Sequence, residues 1–255
     1  MKHLIGLDIG GTKIEGIVFD GKKIIRKLTI VTPKNLADFK YSLVELLRFL
    51  SAGQGIAGFG LGIAGIINPQ KGKIIVSPNL KYLNNFAITG YLNSQGFKNI
   101  RLDNDASCFT RAEAVMGGAR GKKNVIGIIL GTGIGSGLYI NGQNYRGSHY
   151  SGGEVGQLFA GNETMEHRYQ KVKASGKFQE LARLLAVRLA DLVNILDPDC
   201  IALGGGVSQA QYRKFLPQAL AMAKKYLLDK NLKPKVYVSR LKSAGSLGAA
   251  LLFDK

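Results

Sequence analysis

Three carboxylates and two glycine turns are the features of this sequence that could do chemistry together. Asp8 lies near the end of an apolar run, Leu4 to Ile9, and Gly10-Gly11-Thr12-Lys13 follow at once. Glycines at a turn let the backbone approach a ligand closely. Successive N–H groups in such a turn form a concavity for an anion, phosphate above all. A carboxylate beside a phosphate is repulsive unless a cation lies between them, so Asp8 predicts Mg²⁺, held directly or through water. The same stretch also reads as a plain hairpin with a glycine turn. Asp105 follows another strand, beside Asn104, and opens a helix. A carboxylate there could take a proton from a substrate hydroxyl, or it could simply cap the helix. Glu154, in Gly152-Gly153-Glu154-Val155-Gly156, could accept hydrogen bonds from sugar hydroxyls or stand as an exposed loop charge.

The first turn has an echo. The apolar run Val125 to Leu130 enters Gly131-Thr132-Gly133-Ile134-Gly135-Ser136-Gly137, read as a glycine turn, and Leu138 to Ile140 is the outgoing strand. An internal repeat at this spacing predicts two related lobes. If each offers a phosphate turn, the two turns face each other across a cleft. Phosphoryl transfer needs a phosphate cradle, a metal and a residue that positions or deprotonates the nucleophile. The chain has candidates for all three at strand ends, where α/β proteins place ligands.

The elements that must position these residues follow from periodicity and turn chemistry. Ile24 to Val31 is a third strand, and Asn35 caps a helix with Leu36, Phe39, Leu43, Leu46, Leu47 and Leu50 on one face. Ile56 to Ile63 is a buried strand that enters the loop ending at Gly65. A hairpin of Ile66-Ile67 and Lys73 to Val76, the loop Ser77 to Leu80 and a short helix from Thr89 to Gln95 come next. Strand Ile100 to Asp103 then delivers Asn104-Asp105 to a helix reaching Met116. Arg146 to Gly161 reads as a loop, and Asn162 to Lys177 as a polar stretch. Phe178 to Leu196 has the strongest helical face in the chain. Cys200 to Leu203 is a strand entering Gly204-Gly205-Gly206. Gln211 to Leu228 is a helix, Val236 to Val238 a strand and Ala244 to Leu252 a small-residue helix able to pack closely on the first lobe.

The 255 residues, 45% of them hydrophobic, suffice for one large or two modest cores. No apolar run is long enough to span a bilayer, and Met1-Lys2-His3 leads into a strand with no signal-peptide pattern. A cytoplasmic location without a membrane partner is therefore expected. The two cysteines, Cys108 and Cys200, are far apart, which argues against a disulfide framework or a cysteine zinc site. His3, His149 and His167 form no metal spacing. The net charge of +18 implies attraction to polyanions, although the lysines are spread out as on a solvated surface. Basic charge alone gives only non-specific, salt-sensitive nucleic-acid affinity, so no specific nucleic-acid partner is expected.

With these motifs in order, the sequence resembles the ROK (repressor, open reading frame, kinase) family of sugar kinases over nearly its whole length. Leu7 to Gly16 resembles the family's first phosphate motif, Pro78-Asn79-Leu80 its sugar-side loop, and Leu130 to Gly137 its second phosphate motif. Asn104-Asp105-Ala106 carries the position of the catalytic base, and Gly153 to Gly156 matches the GE-x-G of the sugar loop. Leu203 to Val207 and Ala244 to Ala250 resemble the adenosine-side and C-terminal motifs.

The resemblance implies an α/β, actin-like ATPase or hexokinase-type (ribonuclease H-like) fold, two lobes around a central cleft. Residues 1–104 with the helix 244–255 would form the small lobe, and 105–243 the large one. It implies an ATP- and Mg²⁺-dependent hexose kinase acting on glucose or a close relative, often at the 6-hydroxyl. Asp105 would be the base, and Gly65, Asn79, Asn104, Glu154, Gln157 and Glu166 would hold the sugar. Gly10, Gly11, Thr12, Lys13, Gly131, Thr132 and Gly133 would hold the phosphates, Gly204 and Gly205 the nucleoside, and Asp8 the metal. Family members are often homodimers.

Two departures are informative. Gln157 stands where the family usually has His, and the family's cysteine-rich zinc loop is absent, so no zinc is expected. The short, zinc-less form resembles the polyphosphate glucokinase branch, which makes inorganic polyphosphate an alternative donor. A non-enzymatic sugar sensor or DNA-binding regulator is a further alternative. The family's repressors carry a helix-turn-helix ahead of the kinase-like lobes, and this chain starts at the first strand.

Overall fold

The computed structural model describes residues 3–231 and 235–254. Its first sheet contains β1 (His3–Ile9), β2 (Lys13–Phe19), β3 (Ile24–Val31), β4 (Ile56–Ile63) and, after a small hairpin of β5 (Ile66–Asn68) and β6 (Lys73–Val76), β7 (Ile100–Asn104). Helices α1 (Leu36–Ser51) and α2 (Ile88–Ser94) lie between these strands in sequence, and α3 (Asp105–Val115) follows β7. The second half begins with β8 (Val125–Leu130), β9 (Ile134–Ile140) and β10 (Gln143–Tyr145). A two-stranded ribbon of β11 (Phe159–Ala160) and β12 (Glu163–Thr164), then α4 (Met165–Ser175) and α5 (Phe178–Leu196), lead to β13 (Cys200–Gly204), α6 (Gly206–Ala223), β14 (Lys235–Val238) and α7 (Ala244–Ala250).

The sheets repeat one topology. Their strand orders are β3-β2-β1-β4-β7 and β10-β9-β8-β13-β14. In each, the first three strands in sequence form an antiparallel meander, the fourth joins the first in parallel and the fifth joins the fourth in parallel. The internal echo read in the sequence is thus a repeat of fold. Parallel additions need crossover helices, which cover the faces. On the first sheet, Phe39, Leu43, Leu47 and Leu50 of α1 pack on Ile5, Leu7 and Leu61. On the second, Leu181, Leu185 and Leu189 of α5 and Phe215 of α6 pack on Ile128, Ile201 and Leu203. Each such side chain contributes about 1.5–3 kcal/mol when removed from water.

Helices α3 and α7 pack against each other between the sheets, with close approach made possible by glycines. A Cβ on Gly248 would overlap the Cys108 carbonyl, and one on Gly6 would overlap the Ser246 carbonyl. No helix among the described residues is long and apolar enough to cross a membrane.

Three expectations are corrected. Asn162 to Lys177 is not merely a polar stretch: Thr164 caps α4, whose Oγ1 accepts from His167 N, and Met165, Tyr169 and Val172 give it a narrow buried stripe. The glycine turn of the second half is shorter than read, because β9 already starts at Ile134. Gly135 and Gly137 lie within that strand, where a Cβ on Gly137 would come 2.5 Å from the Ala106 carbonyl of α3. Helix α6 begins at Gly206 and ends at Ala223, and a single 3₁₀ turn, Lys224–Tyr226, replaces its expected last turn.

Candidate active site

Asp105 enters the site as the first residue of α3, directly after β7. Its neighbour Asn104 is the N-cap: Oδ1 accepts from Ser107 N at 3.0 Å, and Nδ2 donates to the Gly65 carbonyl at 2.9 Å. The cap therefore fixes both the helix start and the loop after β4. Gly65 has φ +129°, and a Cβ there would overlap the Val76 carbonyl, so the loop needs glycine. Asp105 Oδ1 accepts from Ala106 N at 2.9 Å. Burial raises the Asp105 carboxyl above its ordinary value, against the lowering effect of its backbone hydrogen bonds.

Asp8 reaches the same region from the middle of the first sheet. Burial pushes its pKa up to about 7, with the charges of Asp105 and Glu15 adding and Lys13 opposing. Gly245 at the start of α7 leaves room for the carboxylate, since a Cβ there would overlap it. An excess of negative charge at the mouth of a phosphate turn fits a divalent cation. Among the described residues no group of three or more His, Cys, Asp or Glu side chains is gathered as a metal site. Mg²⁺ held with substrate phosphates needs only one or two carboxylates and its own waters, so the residues present fit it.

The two turns are built alike. In the first, Gly10 N donates to the Lys13 carbonyl at 3.1 Å, while Thr32 donates through Oγ1 to the Gly10 carbonyl (2.7 Å) and through N to the Thr12 carbonyl (3.1 Å). In the second, Gly131 N donates to the Gly133 carbonyl at 2.9 Å. Tyr169 Oη donates to the Gly131 carbonyl at 2.9 Å, and Gln170 Nε2 donates to the Thr132 carbonyl at 2.7 Å. Carbonyls are engaged from behind in both turns. The N–H groups of Gly11, Thr12, Thr132 and Gly133 have no acceptor among the described residues. Such an arrangement receives an anion.

Glu154 stands on a loop held by Ser136, whose Oγ donates to the Gly153 carbonyl and accepts from Val155 N at 3.0 Å. Solvent reaches its carboxylate, but the surrounding protein raises its proton affinity, and the charge of Asp105 adds to this. The loop is also tied to β7. Buried Asp103 receives Arg146 Nε at 3.0 Å and Nη2 at 2.6 Å, together with Asn144 Nδ2 at 2.8 Å. A small recess among Ile67, Asn104, Arg146, Tyr150 and Glu154 results.

The structure thus gathers Asp8, Asp105 and Glu154, and ties Asn104 to Gly65. Asn79 lies against the first turn, where a Cβ on Gly11 would come 2.9 Å from its own. Gln157 is exposed at the end of a single 3₁₀ turn after Glu154. Glu166 meets the second turn: Oε2 accepts from Ile134 N at 2.6 Å and Oε1 from Gln170 Nε2 at 2.7 Å. Gly204 abuts the Phe109 ring, and Gly205, at φ +86°, abuts the Leu130 carbonyl just before that turn. Sequence reasoning missed Thr32, Asp103, Ser136, Arg146, Tyr169, Gln170 and Lys173. Only the last three carried a local signal, their helical spacing with Glu166.

The family model for ROK matches residues 4–166 and 159–255. The chain belongs to the ROK family. It is 30% identical to the N-acetylgalactosamine kinase AgaK of Shewanella sp. (strain ANA-3), over 97% of this chain and 95% of that one. It superposes on the ROK hexokinase from Thermus thermophilus with a TM-score of 0.83 at 30% identity, covering 98% of this chain and 97% of the other. It is also similar to the inorganic polyphosphate/ATP-glucomannokinase from Arthrobacter sp. strain KM, with a TM-score of 0.80 and 26% identity over 99% and 98% of the two chains. The fold is the actin-like, hexokinase-type one, and this ROK chain is a phosphotransferase of the sugar-kinase type. The non-enzymatic alternative is set aside accordingly.

Proposed function

We propose that this ROK-family chain transfers the terminal phosphoryl group of ATP to a hydroxyl of a hexose, glucose or a close relative such as an N-acetylhexosamine. The observation that carries this reading is Asp105: a carboxylate of raised proton affinity, at a helix start, in a site that also holds two anion-receiving turns. The hydroxyl oxygen, usually the 6-hydroxyl in such kinases, attacks the terminal phosphorus. The bond to the bridging oxygen breaks, ADP leaves with its electron pair, and Asp105 takes the hydroxyl proton.

Gly65, Asn79, Asn104, Glu154, Gln157 and Glu166 orient the sugar. Gly10 to Lys13 and Gly131 to Gly133 receive the phosphates, and Gly204 and Gly205 lie toward the nucleoside. Mg²⁺, when bound beside Asp8, supplies neutralising charge to the phosphate oxygens. Residues 1–104 with 244–255 move as one lobe and 105–243 as the other, and their closure excludes water as a competing nucleophile. The protein works as a cytoplasmic homodimer in this reading. The similarity to an N-acetylgalactosamine kinase supports an amino sugar as substrate as much as glucose.

A second donor reading rests on the net charge of +18 and on the likeness to a polyphosphate/ATP-using glucomannokinase. A matrix of sugars against ATP and polyphosphate at equal phosphate concentration tests both. If no sugar is phosphorylated with either donor the proposed function fails, and activity with ATP but none with polyphosphate removes the second reading.

A further inference from the structure

The second phosphate turn is held by one face of one helix. Glu166, Tyr169, Gln170 and Lys173 stand at the i, i+3, i+4 and i+7 positions of α4, a single side of the helix. Tyr169 and Gln170 engage the Gly131 and Thr132 carbonyls, as described above. Lys173 Nζ donates to both, at 3.0 and 3.1 Å. Glu166 accepts from Ile134 N on the far side of the turn, and Gln170 Nε2 braces Glu166 in return. Tyr169 is fully buried, so its hydroxyl is a fixed donor, and the Lys173 ammonium lies 5.9 Å from the centre of its ring. A Cβ on Gly133 would sit 2.7 Å from Glu166 Oε1, so the turn and the helix are in direct contact.

A turn with two glycines has many backbone states in isolation. It serves an anion only in states whose N–H groups converge on one point and whose carbonyls point away. Binding that carbonyl set from behind selects those states before the ligand arrives, which is preorganisation. Thr32 does this for the first turn with two hydrogen bonds; the second turn has a whole helix face.

Resting on the kinase reading above, we propose that α4 is a positioning element for the phosphoryl donor. Tyr169, Gln170 and Lys173 hold Gly131-Thr132-Gly133 so that the Thr132 and Gly133 N–H groups meet the donor's phosphates, and Glu166 fixes the same turn at Ile134. Glu166 thereby ties the turn, at Ile134 N, to the sugar that the proposed function has it orient.

The test is a split between donor and sugar constants in Gln170→Ala, Tyr169→Phe, Lys173→Ala and Lys173→Arg. Steady-state KM values for ATP and for the best sugar are measured, with calorimetric Kd for Mg-ADP and melting temperature for each variant. Gln170→Ala and Tyr169→Phe should each raise the ATP KM and the ADP Kd about fivefold, the value of one hydrogen bond. For Tyr169→Phe and Lys173→Ala, which leave Glu166 braced by Gln170, the sugar KM should stay within about twofold. Lys173→Arg, which still donates to both carbonyls, should recover what Lys173→Ala loses at unchanged melting temperature. The proposal is overturned if donor and sugar constants move together in Tyr169→Phe and Lys173→Ala, or if none moves. It is also overturned if only Lys173→Ala has an effect, since Lys173 would then be a direct phosphate ligand and not part of a clamp. If the wild-type protein phosphorylates no sugar, the kinase reading fails, and the ADP titration still decides whether α4 sets the turn.

Discussion

At the scale of single residues, the chemistry turns on where Asp105 holds its proton. The proposed reaction needs the carboxylate form. Burial raises the Asp105 pKa, so the protonated, inactive form persists to higher pH than for an exposed aspartate near 3.9. Activity should therefore rise with pH through a value above that ordinary one, and kcat/KM against pH should show its acidic limb there. A limb at or below the ordinary aspartate value would argue against Asp105 as the base. Asp105→Asn keeps the volume and removes the acceptor. It should cost about 10²–10⁴-fold in kcat with little change in either KM, the range for a general base. Turnover near wild type would end the assignment. Asp103 has a different standing. It is buried, and its bidentate pair with Arg146 joins β7 to the loop bearing Glu154. Asp103→Asn leaves the Arg146 guanidinium, a third of it in solvent, without its partner and weakens the buried hydrogen bonds at Asp103, so it should destabilise the protein by about 1–3 kcal/mol in urea unfolding.

Between elements, the decisive contact is α7 against α3. Helix propensity alone would make Gly248→Ala stabilising by about 1 kcal/mol. The added methyl would meet the Cys108 backbone carbonyl, which cannot swing aside as a side chain can. Overpacking of that kind costs about 1–3 kcal/mol, so the net sign should be destabilising, read as a lower urea midpoint at unchanged slope. Element order was largely readable from the sequence because α1, α5 and the parallel strands bury broad, periodic apolar faces. Helix α4 was not: its stripe is only Met165, Tyr169 and Val172, and polar residues fill the rest. The start of β9 was misplaced because its glycines look like a turn, when they make room for α3. The same division holds in the site. Asp8, Asp105 and Glu154 announce themselves through residue type and immediate neighbours. Arg146 acts through Asp103, 43 residues away, and Thr32 through Gly10, 22 residues away, and no local pattern encodes such a pairing.

Across the whole molecule, two sheets of one topology each carry a glycine turn between the first and second strands of their meander, and the chain carries a net charge of +18. Lys13 flanks the first turn, and Lys173 stands on the second. ATP presents a few negative charges at one place, whereas polyphosphate extends past the turns and meets lysines beyond them. Each additional lysine–phosphate contact releases counterions, so the two donors should respond differently to salt. With two extra contacts, and the slope known for single-stranded nucleic acid, the polyphosphate-to-ATP ratio of kcat/KM should fall about tenfold between roughly 0.05 and 0.3 M salt. Such a fall would mean that surface charge captures the donor. A ratio indifferent to salt would mean that polyphosphate, if used at all, is gripped only at the turns. The +18 charge would then have no part in choosing the donor.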